Sequence, residues 1–180
     1  MGKISYELKL KHKEERKIFL EDYCKRHLDN DKYANMSILL RIFNELKMKP
    51  RWFYSGKYRC DYKNKAVVYI SISNGNFNIT VATNEAKWNT IIDGGVNDFI
   101  KTLNDEMKIE FISHFKQCNG CFCNTNKKTY FGVGDVEIDG VVHKNVCYKN
   151  LVYTIDNPDA EQIKWIEKFI IARRKYIERT

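Results

Sequence analysis

The sequence predicts an α+β domain, in which an antiparallel sheet is flanked by N-terminal helices and a long C-terminal helix and carries a cysteine-rich metal knuckle. Three observations predict it. Apolar residues recur at helical spacing before Pro50 and after Pro158, they alternate between Arg51 and Val81, and three cysteines crowd into the short run from Cys118 to Cys123. A chain of 180 residues is long enough to bury a full core as one domain, 1–180. Its parts are a helical stretch over 1–49, sheet and helices over 50–116, and a cysteine-rich loop, hairpin and closing helix over 117–180.

From Glu14 to Leu28, Ile18, Phe19, Tyr23 and Leu28 form one apolar stripe among Lys17, Glu21, Lys25 and Arg26, the pattern of a surface helix with one buried face. Asp29-Asn30-Asp31 reads as its break. A second helix is expected from Tyr33 to Met48, with Ile38, Leu39, Ile42, Phe43 and Leu46 inward, and Pro50 stops it. Arg51–Tyr54 and Lys57–Tyr62 then read as aromatic strands around the turn pair Ser55-Gly56.

Asn74-Gly75 is the preferred pair for a two-residue hairpin turn. It sets Ile72 opposite Phe77, Ile70 opposite Ile79 and Val68 opposite Val81 on one face, with Tyr69, Ser71, Asn78 and Thr80 on the other. A short helix carrying Trp88 is expected between Thr83 and Ile92, then helical material from Val96 to Lys116 with a kink near Asn104-Asp105. Asp139-Gly140 repeats the hairpin logic, pairing Ile138 with Val141 and Val136 with His143. In the last helix Asn157 is read as the N-cap and Pro158 as the first helical residue. Ile163, Ile166, Phe169, Ile170 and Ile177 form its core stripe, and Arg173-Arg174-Lys175 reads as a solvated end that complements the helix dipole.

Composition narrows the class of function. No apolar run approaches the roughly 20 residues of a membrane span, the basic N-terminus has no apolar signal core, and Tyr6 stands where a myristoylation signal needs Ser or Thr, so a cytoplasmic protein is expected. In a reducing compartment six cysteines do not read as a disulfide framework.

The Cys118-Asn119-Gly120-Cys121-Phe122-Cys123 run follows a helix, and its C-x-x-C and C-x-C spacings let three thiolates converge on one tetrahedral ion. A structural zinc needs a fourth ligand. Cys147, 24 positions after Cys123, is preferred because the Asp139-Gly140 register brings it opposite Gly132. His114, one helical turn before Cys118, is the alternate ligand or a donor behind the ligands. Iron–sulfur ligation uses the same four thiolates. A dithiol redox role fits less well, because a helix C-terminus is the wrong pole for lowering a thiol pKa. Cys24 and Cys60 read as packing residues.

His12, His27 and His143 are scattered and no nucleophile sits in a recognisable turn, so a non-enzymatic role is expected. Gly132-Val133-Gly134 opens like a dinucleotide fingerprint, but Glu137 stands in place of its third glycine. The charge of +8 admits a nucleic-acid partner, with Lys47, Lys49, Arg51 and Lys57 interleaved among Trp52, Phe53, Tyr54 and Tyr58. A small-molecule pocket between sheet and helices, lined by Trp52, Tyr54, Tyr69 and Trp88, is the other binding expectation.

The segments Leu46-Lys47-Met48-Lys49-Pro50-Arg51-Trp52, Cys118-x-x-Cys121-x-Cys123, Tyr130-Phe131-Gly132, Asn145-Val146-Cys147 and Asn157-Pro158-Asp159-Ala160-Glu161 together resemble a group of uncharacterised small proteins from Clostridium-like bacteria. The resemblance covers the chain from about residue 40 and implies ligand roles for Cys118, Cys121, Cys123 and Cys147, with no activity attached. Residues Val133 to His143 are an insertion relative to that pattern. The arrangement of sheet and helices is also loosely similar to bacterial effector-binding domains, at the level of fold alone.

Overall fold

The computed structural model describes residues 18–54, 56–83, 95–114, 133–147 and 152–180. It is an α+β fold whose main sheet has five antiparallel strands in the order β1-β2-β3-β4-β7: β1 (Arg51–Tyr54), β2 (Lys57–Tyr62), β3 (Lys65–Ser73), β4 (Asn76–Val81) and β7 (Tyr153–Asp156). A separate two-stranded sheet holds β5 (Val133–Ile138) and β6 (Val141–Cys147). The helices are α1 (Leu20–His27), α2 (Asn30–Glu45), α3 (Gly95–Lys101), α4 (Asp105–Ser113) and α5 (Ala160–Arg179).

The Asn74-Gly75 hairpin forms in the expected register, with Ile72 opposite Phe77, Ile70 opposite Ile79 and Val68 opposite Val81. Asn74 and Gly75 both adopt positive φ, at 50° and 71°, as a type I′ turn requires. Alternation then sorts the sheet into two faces. Tyr58, Cys60, Val68, Ile70, Ile79, Val81 and Tyr153 are all buried under helices, with α5 crossing β3, β4 and β7 and α1 against β3. Lys57, Arg59, Tyr69, Ser71, Asn78, Thr80 and Thr154 occupy the intervening positions on the other face. Gly56 allows the β1–β2 turn to close on β3. Its φ is +68°, and a Cβ there would meet the Ile72 carbonyl oxygen at 2.5 Å, so no side chain fits while the Ile72 amide donates to the Gly56 carbonyl at 2.9 Å.

Several expectations are corrected. Phe19 is 78% exposed, because it is the extended N-cap residue of α1 and not part of its buried stripe. Asp29 does not merely interrupt the chain: its side chain accepts from the Lys32 amide and caps α2, which therefore starts at Asn30 and ends at Glu45, before Lys47 turns to φ 53°. The kink near Asn104-Asp105 is a full break, with α3 ending at Lys101 and the Asn104 side chain capping α4 through the Met107 amide. The expected helix around Trp88 lies outside the described residues.

In the C-terminal helix the cap is Asp159, whose carboxylate accepts from the Gln162 amide while the Gln162 side chain accepts from the Asp159 amide. Asn157 instead bends to φ 44° and ties the helix entry to β4: its side-chain oxygen accepts from the Phe77 amide at 2.9 Å and its own amide donates to the Phe77 carbonyl at 2.8 Å. Ile163, Ile166, Phe169, Ile170 and Ile177 are buried as expected. Arg173, expected in solvent, is 1% exposed. Its guanidinium donates to the Thr83 carbonyl at 3.0 Å and lies 5.3 Å from the Tyr176 ring centre, so the long stem spans the core while the charge is held by carbonyl oxygen and a π face. Arg174 lies over the Tyr62 ring at 4.4 Å.

The β5–β6 hairpin docks through its turn, where Asp139 accepts from Lys108 of α4 at 2.8 Å. Val136 faces His143 and Ile138 faces Val141, but an irregularity between Gly134 and Val136 shifts the far end by one residue. Cys147 consequently faces Val133 and not Gly132.

Candidate functional site

Two regions bear chemistry. The first is the outer face of the sheet at its β1 edge. Strict alternation would put Phe53 with Trp52's opposite neighbours and Tyr54 with Trp52, but a bulge between Trp52 and Tyr54 breaks the count. Trp52 aligns with buried Tyr58 and turns inward against the core, whereas Tyr54 aligns with Lys57 on the outside. Phe53 joins it there: its ring lies 5.2 Å from Tyr54 and 6.1 Å from Tyr69 of β3, and both Phe53 and Tyr54 are 45% exposed.

The cations are interleaved with these rings. The Lys57 ammonium sits 4.8 Å from the Tyr54 ring centre and donates to the Tyr54 hydroxyl at 2.9 Å, and the Arg59 guanidinium lies 5.7 Å from Phe53. Asp61 accepts from both Arg51 and Arg59, including a 3.0 Å bond to the second guanidinium nitrogen of Arg59. That hydrogen bond holds the Arg59 pKa above its ordinary value and fixes the guanidinium plane on the sheet. Further from β1 the face becomes uncharged, with Ser71, Asn78 and the Thr80–Thr154 hydroxyl pair at 2.9 Å, until exposed Asp156 at the β7 edge. The described helices that meet the sheet, α1 and α5, pack on the opposite face, where Tyr58, Ile70, Ile79 and Tyr153 are buried. Lys47 and Lys49, both exposed, lie in the connection that feeds β1.

The residues expected to share one small-molecule pocket are thus separated. Trp52 faces the core, Tyr54 and Tyr69 face outward, and Trp88 lies outside the described residues. Of the expected nucleic-acid residues, Arg51 and Lys57 stand on the aromatic outer face with Phe53 and Tyr54, while Tyr58 is buried. Arg59 and Asp61 were missed by sequence reasoning, although their alternation with Cys60 and Tyr58 carries the signal.

The second region is the end of α4. His114 caps it, and its Nε2 lies 3.1 Å from the Glu110 carboxylate. Tyr153 donates to the same carboxylate at 2.7 Å while its ring packs 4.1 Å from Phe169. Burial, with the Glu110 bond adding to it, pushes the Tyr153 hydroxyl well above its ordinary pKa, so it stays a donor. A carboxylate only accepts, so the Glu110 contact calls for a proton on His114 Nε2, and in the neutral ring that tautomer leaves the Nδ1 lone pair for a ligand. Cys118, Cys121 and Cys123 lie outside the described residues, as does the side chain of Cys147. Among the described residues no cluster of three or more His, Cys, Asp and Glu is placed to hold a metal ion.

Cys24 and Cys60 are both buried free thiols, in keeping with a packing role. Burial pushes Cys24 up to about 12 and Cys60 higher still. The unfolded thiols ionise near 9.0 while the folded ones keep their protons, so this pair lowers stability as pH rises above that value and is neutral below it. At pH near 8 both are expected to resist a thiol-specific alkylating reagent until the chain is denatured, as peptide mapping by mass spectrometry would read; native-state labelling of either would contradict their placement in the core.

No described helix is long and apolar enough to cross a membrane. No family model, curated protein or solved structure matches the chain.

Proposed function

We propose that this chain is a non-enzymatic binding protein that holds single-stranded nucleic acid on the outer face of its sheet. The observation that carries this reading is the grouping of Phe53, Tyr54 and Tyr69 with Arg51, Lys57 and Arg59 on the sheet face opposite the one on which α1 and α5 pack. Exposed rings on a sheet stack unpaired bases, and interleaved cations track the phosphates without reading sequence. At its β1 end the face carries Arg51, Lys57 and Arg59 against Asp61, with Asp156 at the far β7 edge, and Lys47 and Lys49 extend the positive edge beyond β1. An open face favours an extended polymer over a small molecule, which needs a concavity to bury most of its surface.

Fluorescence anisotropy with a labelled pyrimidine-rich single strand and the matching duplex tests the reading. Preferential binding of the single strand, weakening as salt rises, is expected. Failure to bind at low salt would overturn it.

A structural zinc in the Cys118 loop is the second element of the proposal, favoured by the His114 arrangement. A metal-bound histidine typically donates from its other ring nitrogen to a carboxylate, and His114 Nε2 lies 3.1 Å from the Glu110 carboxylate. In this reading Cys118, Cys121 and Cys123 supply three thiolates, and Cys147 or His114 through Nδ1 supplies the fourth ligand. Elemental analysis of purified protein should find about one zinc per chain and its loss in Cys118→Ser. Comparing Cys147→Ser with His114→Ala assigns the fourth ligand. Clearly substoichiometric metal in wild-type protein with reduced cysteines would rule the site out.

A further inference from the structure

The surface of α5 that leaves the sheet forms a groove against the start of α4, far along the chain from the aromatic face. Met107, Ile171, Ala172 and Tyr176 give it an apolar floor, and its volume is about 340 Å³. Lys168, Lys175 and Arg179 stand along one rim, spaced so that successive turns of α5 bring them to the same side.

The charges around the groove are unequal. Lys168 is already met by Glu106 at 3.3 Å and lies 4.0 Å from the Trp165 ring. Asp105 faces Lys108, and Glu178 is turned away to accept from the Tyr62 hydroxyl at 2.6 Å. Lys175 and Arg179 form no ion pair among the described residues, although both are at the C-terminal end of α5 beside an apolar floor.

We propose that this groove binds a free aliphatic carboxylate of medium chain length, its tail on Met107, Ile171, Ala172 and Tyr176 and its head between Lys175 and Arg179. A groove of about 340 Å³ is at the small end of ligand sites, which suits a molecule the size of octanoate and is too little for a peptide helix. Lys175 and Arg179, without an ion pair among the described residues, match one anionic head, and the apolar floor disfavours a compact polyanion. This site is separate from the sheet face, and its failure would leave the nucleic-acid reading untouched.

Octanoate, octylamine and butanoate titrated into the full chain, followed by calorimetry and amide chemical shifts, test it. Saturable one-to-one binding of octanoate below its micellar concentration is expected, with shifts at Met107, Ala172 and Tyr176, no binding of octylamine, and an affinity that falls about two- to fourfold for each methylene removed. Lys175→Gln and Arg179→Gln are both exposed changes and should leave the circular dichroism spectrum intact while weakening octanoate about two- to fivefold each. Ala172→Leu fills the floor and should weaken it further. Equal binding of octylamine, octanoate affinity unchanged in both charge variants, or no saturable binding would overturn the proposal, as would adsorption to anionic vesicles without binding of free octanoate.

Discussion

Phe169→Ala is expected to lower the unfolding free energy by about 3–5 kcal/mol, measured by urea denaturation. Phe169 is fully buried where three elements meet: its ring lies 4.1 Å from Tyr153 of β7, 5.9 Å from Phe111 of α4 and 6.4 Å from Trp165 on its own helix. Removing it takes a large apolar surface out of the core and leaves a cavity that aromatic neighbours on separate elements cannot close. A domain of this kind is stable by only about 5–15 kcal/mol, so the change consumes much of the margin. It would also loosen Tyr153, whose hydroxyl reaches Glu110 and through it His114, so the α4 end should gain mobility in amide exchange. A loss below about 1 kcal/mol would show that α5 does not seat on β7 as described.

The second large effect is functional. Replacing Phe53 and Tyr69 together by alanine is expected to weaken single-strand binding by about 2–4 kcal/mol, on the scale of about 1–3 kcal/mol per stacked base with incomplete additivity between neighbours. Both side chains stand on the solvent face, so the unfolding midpoint should change little. Lys57→Gln should act differently, reducing affinity modestly and flattening the salt dependence, because it removes a phosphate contact and not a stacking platform. A double alanine variant that binds like the wild type would place the nucleic acid elsewhere.

Where turn chemistry and periodicity coincide, the sequence was legible to the residue. The Asn74-Gly75 register, the core stripe of α5 and the burial of Cys24 and Cys60 all follow from local rules that agree with the tertiary packing. Two of the misreadings share a cause, in that a single residue shifts a pattern that is periodic on either side. The bulge at Phe53 moves it and Tyr54 onto one face, which turns an expected pocket of Trp52 and Tyr54 into an outward platform. The irregularity at Gly134–Val136 moves Cys147 by one position. Arg173 was read by its charge, but its position is on the buried side of α5, between Phe169-Ile170 and Ile177, and the helix period prevailed over polarity. Strand β7 carried no turn signal before it; four residues are too few for alternation to show, and only pairing with β4 defines them.

In the function proposed here the outer face of the sheet, and not the helical side, receives a single strand of nucleic acid. Heteronuclear NMR of the isotopically labelled chain, titrated with a short pyrimidine oligonucleotide, reads it residue by residue. Progressive shifts of the Phe53, Tyr54 and Tyr69 ring protons and of the Lys57, Arg59 and Ser71 amides are expected, with the buried Tyr58 and Phe169 rings unmoved. Shifts confined to the helical side, or no shifts at low salt, would contradict it.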